Sequence, residues 1–418
     1  MKPLYPKPIS SQTVTVPGSK SISHRMLVCA ALCDGTSHIL NLLDSQDIGL
    51  TRHALSCMGA DIIKTGADSV AVKGFAGHPL PFADPIHLGN SGTSMRLLAG
   101  IAALGTTPYT LTGDTRLCAR PMKELLDALT LLGIDARSGT LEGFPPVTIR
   151  GGSRRGGDIR LDCSRSSQYL SALLLIGPFM ARGMTIELAG PPVSSPYIDL
   201  TLDVLTQFKV AARRINDIRY QVPGGQTYIP GSHVVEPDLS NSGYFCAAGA
   251  VTGRKIGVAY TSSQSLQGDF KQIYILEKMG CDLFFEKDGV AVQGRALTAV
   301  DVDMADTPDA VPAIAVTAAF AKGTTRIRNI AHLREKECDR IDAVASQLNR
   351  MGIETAQGDD WLTVTGGTPK GALIHTFNDH RIAMAFAVAG LNVPGMRIEN
   401  PGCVGKSFPG FWDVYDAL

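Results

Sequence analysis

The feature that most constrains this chain is an internal repeat with a period of about 70 residues, the mark of stacked supersecondary units. One recurring segment is a small-residue apolar run that ends in Gly. Its copies are SHRMLVCAALCDG to Gly35, SMRLLAGIAALG to Gly105, QYLSALLLIGPFMARG to Gly183, SGYFCAAGAVTG to Gly253, PAIAVTAAFAKG to Gly323 and HRIAMAFAVAGLNVPG to Gly395. A second, amphipathic run recurs out of phase and closes on a short turn: LSCMGAD at Gly59, LTLLGID at Gly133, LEKMGCD at Gly280 and LNRMGIE at Gly352. The third copy reads LTQFKVA and puts Lys209 in the Gly position, and the tail FPGFWDVYDAL stands for a truncated sixth. The 418 residues therefore hold six repeats with two helices each. The first helix of each is apolar nearly all round and belongs in a core; the second is one-sided and belongs on the surface. Runs such as TSHILNLL, DSVAVKG, YTLTGD, MTIELAG, TRIRNI and LTVTGG, bounded by Gly, Asn or Asp, predict strands around them. The fold class is α/β (α+β), with three repeats per half as the simple grouping.

Charge narrows the function. Lys plus Arg is 39 and Asp plus Glu is 39, for a net charge of zero. A general nucleic-acid binder needs a basic excess, so none is expected here. Hydrophobic residues make 44% and charged residues 19%, which marks a globular chain. No apolar run of about 18 residues predicts a membrane span, and MKPLYPKPIS has no apolar signal core, so a cytoplasmic location is expected. The nine Cys are scattered without CxxC or metal-ligand spacing, as for reduced thiols with no metal. GKSF at 405–408 lacks the earlier Gly of a Walker motif, so no nucleotide is expected there.

Chemistry concentrates where the six apolar helices begin. The openings read SKSISHR (19–25), GNSGTSMR (89–96), CSRSSQYL (163–170), SNSGYF (240–245), DTPDAVP (306–312) and NDHRIAM (378–384). Ser, Asn and Asp there are good N-caps. Capping does not explain Lys20, Arg25, Arg96 and Arg381, which the pattern puts in first turns, against the positive end of the helix dipole. A bound anion reconciles them: free first-turn amides and a fork-shaped guanidinium favour phosphate or carboxylate. Arg120 in LCARP, Lys336 and Arg340 in REKECDR, and Lys406 in GKSFPG add four cations. Eight focused cations in a chain of zero net charge suit small polyanions. Among the acids, Asp309 is a cap or a general base. Glu337 is an intrahelical partner of Arg340 or an acid–base group tuned by its cations. Asp379-His380-Arg381 is a cap plus pair or a set of anion contacts.

These motifs, in this order, resemble the EPSP synthase family. The matching stretches are PGSKSISHR, GNSGTSMRLLAG, LTGDTRLCARPM, SSQYLSALL, SPYIDLT, QGDF, PDAVPAIAVTAAFAKGTTRIRNI, REKECDR, FNDHRIAMAF and KSFPGF, which span residues 17 to 411. The resemblance implies a two-domain inside-out α/β barrel (prism), each domain built of three βαβαββ repeats. The domains would be 18–235 and 1–17 plus 236–418, with the active site in the cleft between them. It implies transfer of the enolpyruvyl group of phosphoenolpyruvate to the 5-hydroxyl of shikimate 3-phosphate, without cofactor or metal. The expected state is a monomer that glyphosate inhibits.

By the same resemblance Lys20, Ser21, Arg25, Ser166, Ser167, Ser194, Tyr197, Asp309, His332 and Lys336 would contact shikimate 3-phosphate. Lys20, Gly92, Arg120, Gln168, Arg340, Arg381 and Lys406 would hold phosphoenolpyruvate. Asp309 would take the hydroxyl proton, and Glu337 with Lys20 would protonate C3. The chain departs from the best-known bacterial pattern at His24 and His332, each in place of Asn, at Leu97 in place of Pro, and at Cys118 and Ser195, each in place of Lys. UDP-N-acetylglucosamine enolpyruvyl transferases, the nearest alternative, carry a catalytic Cys several residues before the matching Arg, whereas Cys118 is two residues before Arg120.

Overall fold

A computed structural model describes residues 1–418. The chain divides into two compact units, Gly18–Val235 and Met1–Pro17 with Glu236–Leu418. Each has its own hydrophobic core.

In the N-terminal unit the buried helices are Lys20–Leu32, Gly92–Ala102 and Gln168–Ile176. The second packs on both others, and Gly100 explains how close it comes to the third: a Cβ there would lie 2.8 Å from the Ala172 carbonyl oxygen. Three four-stranded sheets cover these helices. One runs Ile86–His87, Pro108–Thr112, Val147–Arg150, Asp135–Ser138 in spatial order. The first pair is parallel and the other two antiparallel. Gly157–Leu161, Met184–Leu188, Arg219–Val222 and Arg213–Asn216 repeat that order. The remaining sheet takes its first strand from the far end of the unit: Ser232–Val234 lies parallel to Thr36–Leu40. Inner strands alternate, as in Thr36–Leu40, where Ser37 and Ile39 face in.

The C-terminal unit follows the same plan. Its buried helices Leu239–Thr252, Val311–Ala318 and His380–Ala389 pack pairwise. Strand Gln12–Val14 pairs in parallel with Ile256–Ala259, so the chain's start completes a sheet of this unit. The last sheet has three short strands, Lys2–Pro3, Arg397–Ile398 and Leu373–Ile374.

The register of the second helices is visible in the backbone. Gly59, Gly133, Gly280 and Gly352 have φ of 102°, 80°, 102° and 76°, and Lys209, which stands in the same place, has φ 63°. The left-handed step that ends each helix is therefore kept even where no glycine provides it. No helix is long and apolar enough to cross a membrane.

Candidate active site

The helix starts explain part of the clustering by capping. Ser91, Asp238 and Asp379 accept hydrogen bonds from the first-turn amides of Ser94, Asn241 and Arg381. Ser19 and Ser167 stand at N-cap positions without a side-chain cap bond. Lys20 and Arg381 occupy first turns, as expected. Arg25 and Arg96 do not: their helices begin at Lys20 and Gly92, which puts both arginines one turn further in.

In the N-terminal unit Lys20 Nζ lies 3.3 Å from Asp47 Oδ2, both side chains largely buried. Arg25 is held from four sides. Its Nε donates to Thr201 Oγ1 (2.8 Å), Nη1 to the Ser21 carbonyl (2.9 Å), and Nη2 to the Tyr197 carbonyl (3.0 Å) and Ser171 Oγ (3.3 Å). Burial lowers its pKa to about 10, so it stays charged at neutral pH. Ser21 and Tyr197, both expected at the substrate, thus meet at one guanidinium. Gln168 joins two helices, donating to Thr93 Oγ1 and accepting from Arg96 Nη1, both at 2.9 Å, while Ser166 Oγ accepts from its amide at 3.3 Å. Arg120 is buried against Gly92: a Cβ on Gly92 would lie 2.5 Å from Arg120 Cζ. Ser194 has φ 55°, and its buried Oγ has no hydrogen-bond partner.

In the C-terminal unit Arg340 is the hub. Nε donates to Asp379 Oδ2 (2.7 Å), Nη1 to Asp309 Oδ1 (2.8 Å) and Nη2 to Glu337 Oε2 (2.7 Å). Arg381 Nη2 donates to the other oxygen of Asp309 at 2.6 Å. Asp309 stands in the first turn of Pro308–Ala310 and bridges two arginines. Glu337 does pair with Arg340, but from outside the helix, which starts at Arg340. Lys336 follows the helical turn Ala331–Glu335. His332 on that turn is buried, and burial, with Lys336 and Arg340 beside it, pushes its pKa down to about 3. Its Nε2 has no hydrogen-bond partner. Lys406 ends the turn Pro401–Lys406 and is buried.

At the departures, Ser195 Oγ accepts from Arg214 (3.2 Å), Cys118 Sγ donates to the Gly113 carbonyl (3.4 Å), and Leu97 is buried. Sequence reasoning missed Asp47 and gave Asp269 no role. A signal existed for each: Asp47 is an acid in a helix's first turn, and Asp269 belongs to QGDF. Asp269 is buried and accepts from Ser240 Oγ. Burial, then Asp309, raises its pKa to about 7. The nine Cys are free, and no group of His, Cys, Asp and Glu is placed to hold a metal ion.

Repeated buried helices with polar starts, two of which carry a first-turn cation, and buried arginines paired with carboxylates define a two-unit α/β protein with groups suited to small anions. The chain belongs to the EPSP synthase (3-phosphoshikimate 1-carboxyvinyltransferase) family, whose model matches residues 6–415. It is 40% identical over 424 residues to a 3-phosphoshikimate 1-carboxyvinyltransferase of Shewanella amazonensis, covering 100% of this chain and 99% of that one. It is 41% identical over 410 residues to that of Shewanella piezotolerans, covering 97% and 96%. Among solved structures, an EPSP synthase from Acinetobacter baumannii superposes with a TM-score of 0.83 at 30% identity, over 99% of this chain and 97% of that one. The enolpyruvyl transferase NikO from Streptomyces tendae, at 19% identity and TM-score 0.79 over 99% and 96%, shares the fold.

Proposed function

We propose that this protein transfers the enolpyruvyl group of phosphoenolpyruvate to the 5-hydroxyl of shikimate 3-phosphate, giving 5-enolpyruvylshikimate 3-phosphate and inorganic phosphate in aromatic amino-acid biosynthesis. The observation that carries the mechanism is the Arg340 fork, with Asp309 on one prong and Glu337 on the other. One guanidinium sets the spacing of the expected base and the expected acid. Asp309 takes the 5-hydroxyl proton as that oxygen attacks C2. Glu337, with Lys20, delivers a proton to C3. The tetrahedral intermediate then loses phosphate and its C3 proton, leaving the enol ether.

Arg340, Arg381, Lys406, Lys20, Arg120, Gln168 and Gly92 hold phosphoenolpyruvate. Its carboxylate and phosphate compete with Asp309 for the arginine donors, which leaves the Asp309 carboxylate for the hydroxyl. Lys20, Ser21, Arg25, Ser166, Ser167, Ser194, Tyr197, Asp309, His332 and Lys336 hold shikimate 3-phosphate. The unpartnered Ser194 Oγ and His332 Nε2 support this, since buried polar atoms are nearly always paired. In this reading each unit's three repeats close into an inside-out barrel. The enzyme acts in the cytoplasm as a monomer, without cofactor, and glyphosate inhibits it.

Phosphate release tests the reaction. Phosphate should appear with both substrates and not when either is omitted. Release from phosphoenolpyruvate alone, or none with both present, rejects the assignment. Full activity in millimolar glyphosate rejects the inhibitor.

A further inference from the structure

Four buried polar groups form a continuous hydrogen-bonded chain through the N-terminal unit. His24 Nδ1 lies 2.8 Å from Thr51 Oγ1, which lies 2.7 Å from Ser94 Oγ, which lies 2.7 Å from Ser91 Oγ. None of the four residues is more than 1% exposed. They stand on three helices. His24 is on Lys20–Leu32, Thr51 on Gln46–Cys57 and Ser94 on Gly92–Ala102, for which Ser91 is the N-cap. The leading turns of these helices carry Lys20, Asp47 and Gly92.

A hydroxyl donates once and accepts up to twice, so all three links can be made at once, each with one donor. In a dry interior, losing one link strands its neighbours at the cost of their desolvation. The far end matters because Ser91 Oγ also accepts from the Ser94 amide at 3.4 Å and so fixes the turn that presents Gly92 against Arg120. Arg25, by contrast, is anchored separately on Thr201, Ser171 and Tyr197.

Resting on the reading that Gly92 and Arg120 face phosphoenolpyruvate, we propose that His24 is a positioning residue for that substrate. Through Thr51 and Ser94 it fixes the Ser91 cap and the first turn of Gly92–Ala102, and it leaves the fit of shikimate 3-phosphate alone. His24→Asn retains a polar atom close to the place of Nδ1 and should keep the chain; His24→Leu and Thr51→Val each remove a link.

The test is steady-state phosphate release by the full-length protein, with melting temperatures for each variant. His24→Leu and Thr51→Val should each raise KM for phosphoenolpyruvate about 10-fold, with kcat and KM for shikimate 3-phosphate within about 2-fold, as for one lost buried hydrogen bond. His24→Asn should stay within about 3-fold of the parent in all three constants. The proposal falls if Thr51→Val leaves KM for phosphoenolpyruvate unchanged. It falls if His24→Asn is as impaired as His24→Leu, or if both KM values and kcat drift together with the melting temperature. Thr51→Val, which keeps the side-chain shape, decides the matter if His24→Leu does not fold. Failure of the underlying reading is distinguishable: Gly92→Ala would then leave KM for phosphoenolpyruvate unchanged, which also overturns the proposal.

Discussion

Arg340 and Asp379 are joined twice, Nε to Oδ2 at 2.7 Å and Nη2 to Oδ1 at 3.4 Å, with side chains 1% and 0% exposed. The same carboxylate accepts from the Arg381 amide and caps His380–Ala389. One acid thus orients Arg340 directly and Arg381 through its helix. Burial weighs against the Arg340 charge, but Asp379, Glu337 and Asp309 outweigh it and push the pKa well above its ordinary value.

Asp379→Ala is therefore expected to cost about 2–3 kcal/mol, because it takes one of three carboxylates from a buried guanidinium and removes a helix cap. Calorimetry of the purified variant checks this. A loss below about 1 kcal/mol, the scale of an exposed pair, contradicts it.

Asp309→Asn keeps one oxygen to accept from one of the two arginines, turns a donor NH2 to the other, and loses the ability to take a proton. Turnover should fall about 100- to 10,000-fold, the usual contribution of general acid–base catalysis. Binding of shikimate 3-phosphate by titration calorimetry should weaken by no more than about 10-fold, the scale of one hydrogen bond. Near-normal turnover would remove Asp309 from the chemistry.

Gly92→Ala puts a methyl group where the Arg120 guanidinium now lies. The guanidinium can swing aside, so the fold should survive with a melting temperature close to the parent's. KM for phosphoenolpyruvate should rise about 10-fold, the scale of one misplaced charge-assisted contact. An unchanged KM would show that Arg120 does not meet this substrate.

Lys209→Gly should stabilise the protein. A side chain at φ 63° is strained, and the left-handed conformation costs about 1–2 kcal/mol. Glycine relieves that strain, offset by its greater freedom when unfolded, for a net gain of about 0.5–1 kcal/mol. Denaturant unfolding of the two proteins measures it; a destabilised Lys209→Gly would mean that the lysine has contacts worth more than the strain.

His332 governs part of the acid response. Its folded-state pKa of about 3 lies below the ordinary 6.5, so as pH falls the unfolded chain takes up the proton first. The stability tied to neutral His332 is complete above about pH 6.5 and drains away toward pH 3. Between pH 6.5 and 5 the loss is about 1–2 kcal/mol. His332→Asn should flatten that slope in unfolding curves across the range, and an identical slope would contradict it.

The outer strands show where local pattern is silent. Asp61–Lys64, Arg213–Asn216 and Glu354–Gln357 are mostly exposed, with no fully buried residue, and each lies at a sheet edge. They are strands because a neighbour offers them hydrogen bonds. The inner strands and the six apolar helices were legible because burial on both sides, or on alternate residues, writes a period into the chain.

The sequence by itself determined the six-fold repeat, the buried helices, the polar character of their starts, and through its motifs the family. Those properties depend on which residue follows which. Only the tertiary structure decided that Arg25 is braced inside one unit, that Asp309 bridges two arginines, and that His24 reaches Ser91 through two other helices. Each of these joins groups distant in the chain, and hydrogen bonds and charges act through space once folding has fixed their positions and excluded water.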